Sequence, residues 1–235
     1  MDVKGYYDEY AERQVAVGVN ERHRAILEWS LKFGMRPDHS VLELGCGVGT
    51  LTGLLAGALG SGGSITAIDL SPVSIESAKE RLSGFDNVRL MAADVLETDL
   101  KGSFDVVVLP DVIEHIPLEN HRALFEQVAS WVRPDGLVLL HYPSPHYQEW
   151  NRKYHPERLQ IIDQTVHVDV LSSSTYPNGL YIDHLATYSI WMREGDYVVA
   201  VLRPLFAGPG TFTELPHPRV SPVARVAERL RRLVK

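Results

Sequence analysis

With 235 residues, the chain is long enough for one domain with a sizeable core and cramped for two, so one domain with a cap is expected. Its 45% apolar and 23% charged composition excludes the disordered, collagen-like and disulfide-framework classes. The apolar runs are far too short for a bilayer and MDVKGYYDEYAERQ holds no signal-peptide core, so a cytoplasmic protein is expected.

The net charge of −7 is unevenly spread. From Arg219 onward six Lys or Arg stand against one acid, which leaves 17 basic against 29 acidic side chains in residues 1–218. An acidic body argues against a nucleic-acid partner, whose phosphates need Lys and Arg to neutralise them.

In chain order, Ala25, Ile26, Trp29 and Phe33 fall at helical spacing before Gly34 and Pro37, which predicts a helix over 20–33. Before it, Tyr6, Tyr7 and Tyr10 lie on a short helix that reads either as a lid or as a surface helix packing two tyrosines. Strand and helix patterns then alternate: strand 40–44, helix 49–59, strand 64–69, helix 71–83, strand 87–92, strand 104–109, helix 119–132 and strand 136–141. This alternation implies crossover connections and a mainly parallel sheet. VVVL and LVLL lack polar alternation, as strands buried on both faces do.

Residues 143–172 are rich in Pro, His and aromatics without periodicity and read as an insertion over the site, not a core element. YIDHLATYSIW and DYVVAVL, separated by Met192 to Gly195, read as a hairpin that finishes the sheet with an antiparallel edge. The expected fold is α/β, a Rossmann-like doubly wound sheet of seven strands, the last antiparallel, with a small cap. Its parts are a lid at 1–37, a core at 38–142, the cap at 143–172, the final strands at 173–203 and a Pro-rich tail with a basic helix at 204–235.

The chemistry starts at VLELGCGVGT, residues 41–50. An apolar run that ends in Gly-x-Gly-x-Gly before TLTGLLAGALG is a strand feeding a tight turn into a helix, where glycine lets a ligand approach the main chain. Dinucleotides, phosphates and other adenosine cofactors all use this design. Twenty residues after Gly49, Asp69 ends the second strand, where a carboxylate can accept both hydroxyls of a ribose. The dinucleotide pattern would want a third glycine at position 50, which is Thr50, and the carboxylate of Glu43 would repel a pyrophosphate. A cationic cofactor is favoured, and S-adenosylmethionine has a ribose, an adenine, an ammonium and a sulfonium but no phosphate. The single Cys46, inside the loop, reads as packing.

Over roughly residues 38–142 the sequence resembles the class I S-adenosylmethionine-dependent methyltransferases. VLELGCGVGT, ITAIDLSPVSIESAKERL, NVRLMAADV, FDVVVLPDVIEHIP and LFEQVASWVRPDGLVLL carry the resemblance in order. It implies that Gly45, Cys46, Gly47 and Gly49 wrap the methionine part of the cofactor, with Glu43 just before them, and that Asp69 and Leu70 take the ribose. It further implies that Asp94 accepts from the adenine amino group, that Val95 lies beside the ring, and that Pro110 and Asp111 close the methionine end. Alone, Asp94 would read as a loop aspartate capping a turn.

The reaction expected is methyl transfer to a small molecule such as a sugar, glycan or secondary metabolite, more to oxygen than to nitrogen or carbon, with S-adenosylhomocysteine as product. A non-catalytic S-adenosylmethionine-binding protein is the reading from another class. A hydroxyl acceptor needs a general base. His115 is one candidate, or else it hydrogen-bonds the following turn; His141, ending the fifth strand, is the other. Asp111, Glu114, His115 and His141 also resemble the set with which ubiquinone-pathway O-methyltransferases and plant small-RNA 2′-O-methyltransferases hold a divalent metal. Asp111 departs from that pattern, and metal-independent action is preferred. The Asn-Pro-Pro-aromatic motif of nucleic-acid amino-methylating enzymes is absent, the fourth strand ending in LPDV.

In the tail, Val223, Val226, Ala227, Leu230, Leu233 and Val234 form an apolar stripe flanked by arginines. Such a helix can lie on an anionic membrane. Its shortness and lack of an aromatic anchor favour packing on its own domain or on a second subunit, as in a homodimer.

Overall fold

A computed structural model describes residues 5–7 and 14–205; the helix expected in the tail and Tyr10 lie outside the described residues. The helices are α1 (Glu21–Lys32), α2 (Thr50–Ala58), α3 (Pro72–Arg81), α4 (His121–Trp131), α5 (Pro145–Tyr154) and α6 (Val168–Thr175). The strands are β1 (Ser40–Leu44), β2 (Ser64–Asp69), β3 (Val88–Ala92), β4 (Phe104–Pro110), β5 (Val132–Pro143), β6 (Leu180–Tyr188) and β7 (Tyr197–Pro204). They form one seven-stranded sheet in the order β3-β2-β1-β4-β5-β7-β6.

The pairs from β3 through β5 are parallel, and β7 runs antiparallel between β5 and β6. The strand order therefore reverses between β1 and β4, and a cleft opens beyond their carboxyl ends, where α/β sheets bind ligands. Successive residues of a strand feed opposite faces of the sheet: Val106 and Val108 join Ile26, Leu51 and Leu55 on one side, while Val107 and Leu109 join Leu124, Phe125 and Val128 on the other. Burying each such Val or Leu contributes about 1.5–3 kcal/mol, so cover by helices on both faces is what the continuous apolar strands require.

Local chemistry sets the helix starts. Asn20 caps α1 by accepting from Arg22 N, while the His23 ring accepts back from Asn20 N. Ser71 caps α3, with Pro72 in its first turn.

Two expectations are corrected. Residues 143–172 hold α5 and the start of α6, and Val166 and Leu171 belong to the main core, so this stretch is not wholly an insertion. The missed signal was Ser144 followed by Pro145, since the Ser144 hydroxyl caps α5 and proline suits its first turn. The connection between β6 and β7 is also longer than the four residues expected, spanning 189–196. Buried Asp196 makes the longer turn possible by accepting from Ile190 N and Trp191 N.

Candidate active site

A cavity of about 800 Å³ lies over the carboxyl ends of β1, β2 and β4. Its wall includes Glu43, Gly45, Cys46, Asp69 and Leu70 from the first two strand ends. Asp94, Val95, Pro110, Asp111 and His115 come from the turns after β3 and β4. Gly47, Gly49 and His141, also expected in the site, do not line it.

Gly45 has φ +75°, and a Cβ there would meet Val112 Cγ2 at 2.4 Å, so the glycine loop and the turn after β4 touch only because Gly45 has no side chain. Gly49 stands back from the ligand space as the N-cap of α2, with φ +76° and the side chains of Ala78 in α3 and Leu82 just after it against the glycine. The Asp69 carboxylate accepts from Gly47 N at 2.7 Å and Ser71 N at 2.9 Å, which aims it across the loop. Gly47 thus acts through its N–H on Asp69. Asp94 accepts from Leu96 N at 2.8 Å, so it caps a turn and faces the cavity at once.

Glu43 is fully buried, with the Thr52 side chain favouring its charged form. Burial pushes its pKa up to about 7. A buried carboxyl with so little compensation at a cavity wall suits a cationic ligand group. The residues present therefore fit an S-adenosyl cofactor and oppose a pyrophosphate.

His141 is the main correction. It is wholly buried beneath Asp111, its Nδ1 3.0 Å from Asp111 Oδ1 and its ring stacked on Tyr197 at 4.5 Å. A carboxylate only accepts, so Nδ1 donates, and Nε2 accepts from the Tyr188 hydroxyl at 2.8 Å. With burial holding its pKa well below the usual value, the ring is neutral and its one lone pair is already used. It is not a base facing an acceptor. Instead it fixes Asp111, whose φ of +54° is the left-handed conformation and whose N donates to His141 O at 2.7 Å. Arg22, which sequence reasoning missed, pairs with the other Asp111 carboxylate oxygen from α1.

His115 does reach the cavity, its side chain 12% exposed, and burial lowers its pKa. Its Nδ1 lies 2.7 Å from the Ile162 carbonyl oxygen. A carbonyl accepts, so Nδ1 carries the proton of the neutral ring and Nε2, 3.8 Å from Glu114 Oε1, carries the lone pair. The turn that presents it is locked by His121, also missed, whose Nε2–H donates to Ile113 O and Ile116 O. Glu114 is buried, its Oε1 3.8 Å from His115 Nε2, and burial pushes its pKa up to about 8. The four residues considered for a metal do not converge, and among the described residues no group of three or more His, Cys, Asp or Glu is placed to hold one. No helix among the described residues is long and apolar enough to cross a membrane.

A Rossmann-like sheet with a cavity at its switch point is an arrangement in which α/β folds bind nucleoside-containing ligands. Residues 41–136 match the model of the methyltransferase domain family. The chain is 26% identical over 182 residues to the phosphoethanolamine N-methyltransferase of Plasmodium falciparum, covering 75% of this chain and 66% of that protein. It is 26% identical over 209 residues to the (S)-coclaurine N-methyltransferase of Thalictrum flavum subsp. glaucum, covering 80% and 56%. The chain thus spans under two thirds of the length of these relatives. Among solved structures, the N-methyltransferase NodS of Bradyrhizobium japonicum in complex with S-adenosylhomocysteine superposes with a TM-score of 0.63 at 21% identity, covering 78% of this chain and 86% of that one. Residues 41–136 are thus similar to the methyltransferase domain, and the chain shares the fold of the S-adenosylhomocysteine-bound NodS.

Proposed function

We propose that this protein is a class I S-adenosylmethionine-dependent methyltransferase that moves a methyl group from S-adenosylmethionine to a hydroxyl of a small molecule, with His115 as general base. The cofactor supplies an activated sulfonium methyl. Little else is required of the protein than holding the acceptor in line and taking its proton, and positioning of this kind is worth on the order of 7–11 kcal/mol when fully exploited.

In this reading Asp69 and Leu70 hold the ribose, Asp94 and Val95 the adenine, and Glu43 with Gly45 and Cys46 faces the methionine part, its carboxyl toward the cationic groups. Pro110 and Asp111 close that end, with Asp111 held still by Arg22 and His141. The N-terminal residues serve as a lid, since Tyr6, Tyr7 and Gln14 line the cavity. Residues 157–162 serve as the cap.

The observation that carries the oxygen assignment is the unprotonated Nε2 of a neutral His115 at the cavity wall, with Glu114 Oε1 3.8 Å away. A hydroxyl becomes a good nucleophile only as its proton leaves, whereas a neutral amine already has a lone pair, so a built base favours oxygen. A second reading, transfer to nitrogen, is favoured by the N-methyltransferase names of the relatives above. The acidic body, residues 1–218, argues for a small acceptor and against nucleic acid. Measuring S-adenosylhomocysteine release with matched phenol, sugar-alcohol and amine acceptors tests the assignment. Turnover with a hydroxyl compound that drops about 10²-fold or more in His115→Asn supports it, and turnover with amines alone contradicts it.

A further inference from the structure

The segment between α5 and α6 is tied to the turn after β4 at three points. Gln164 N donates to Glu114 O at 2.8 Å. The Gln164 side-chain Oε1 accepts from Leu118 N, also at 2.8 Å. Between these, the Ile162 carbonyl accepts from His115 Nδ1 at 2.7 Å. From the opposite side, Asp163 is held by α5: its carboxylate accepts from Gln148 Nε2, and its carbonyl accepts from Arg152 Nη2 at 2.8 Å. The Ile162 carbonyl is thus set in place by its neighbours, with Gln164 the only one of them that bonds the turn carrying His115 through both main chain and side chain.

The position of that carbonyl decides which ring nitrogen of His115 holds the proton. Bonded to Ile162, the proton stays on Nδ1 and Nε2 can accept one. Released, the ring is free to carry its proton on Nε2, where it would be a donor and useless as a base. We propose that Gln164 is a positioning residue that staples the 159–165 segment to the turn after β4, and so selects the His115 tautomer able to take the acceptor's proton. Leu159, Gln160 and Ile162 of the same segment line the cavity, so covering the acceptor and readying the base become one event. This rests on the reading of His115 as the base.

The test is two-bond proton–nitrogen correlation on the full chain labelled with ¹⁵N-histidine, at about pH 8 so that His115 is neutral, with His115→Asn assigning its signals. In the wild type His115 should carry its proton on Nδ1. In Gln164→Ala and in Gln164→Met, which keeps the side-chain volume if the smaller residue fails to fold, the signals should shift toward the Nε2-protonated form. Calorimetric affinity for S-adenosylhomocysteine should stay within about twofold, because Gln164 does not touch the cofactor half of the cavity. An Nε2-protonated His115 in the wild type, an unchanged tautomer in both variants, or a cofactor affinity lost along with the tautomer would each overturn the proposal. The base reading fails on a different result: wild-type methyl transfer by His115→Asn, which leaves the tautomer data standing.

Discussion

Glu43 is buried against an ordinary carboxyl's preference for water, and its titration has a definite sign. Its pKa rises from 4.5 to about 7 in the fold, so the stability it contributes is complete below about pH 4.5 and is lost as pH climbs through 7. Glu43→Gln should therefore raise the melting temperature of the cofactor-free protein above pH 7, leave it nearly unchanged near pH 4.5, and weaken S-adenosylhomocysteine binding. A thermal series across that range checks it; an equal gain at both ends would show that packing, not ionisation, is responsible. His115 behaves in the opposite sense. Burial lowers its pKa below 6.5, so its base form is present above that value and is lost on acidification. With a hydroxyl acceptor, the turnover rate should be flat in pH above about 6.5 and fall only on the acid side.

At the scale of elements, the turn between β1 and α2 is the most sensitive joint. Gly49→Ala would force a side chain into a left-handed conformation and bring its Cβ to 2.8 Å from Leu82 Cδ1 and 3.1 Å from Ala78 Cβ. A loss of about 1–3 kcal/mol in urea unfolding is expected, with the midpoint lowered and the slope unchanged. That joint, and the strands around it, could be read from sequence because the glycine spacing and the unbroken apolar runs are local signals. The expected bounds of β1 and β2 match those observed. Other features were hidden because they depend on distant partners. His141 looked like a base because it ends β5, but its ring is consumed by Asp111 and by Tyr188 on β6, pairings that exist only once the sheet is assembled. Arg22 sits 89 residues from Asp111, and no local pattern marks it. Helix α5 had a local signal, Ser144 before Pro145, but its aromatic-rich sequence obscured the helical period.

For the whole molecule, two sets of buried groups pull the pH dependence of stability in opposite directions. His23, His115, His121 and His141 all have lowered pKa values, chiefly through burial, so the unfolded chain binds more protons and stability falls as pH drops below about 6.5. Glu43 and Glu114, raised to about 7 and about 8, make stability fall as pH rises above about 4.5. The cofactor-free protein should melt highest between these limits, and the double variant Glu43→Gln, Glu114→Gln should move that maximum to higher pH. A maximum that stays in place would mean these carboxyls are not the groups in control. The central claim is that the cavity at the switch point of the sheet takes an S-adenosyl group through Asp69, and titration calorimetry with S-adenosylhomocysteine tests it most directly. The wild-type chain should bind S-adenosylhomocysteine and give no heat with NAD. Asp69→Ala should bind about one to two orders of magnitude more weakly, the loss of a hydrogen bond to a charged group of roughly 1.5–3 kcal/mol. Equal affinity in wild type and Asp69→Ala, or NAD competing for the same cavity, would contradict the account.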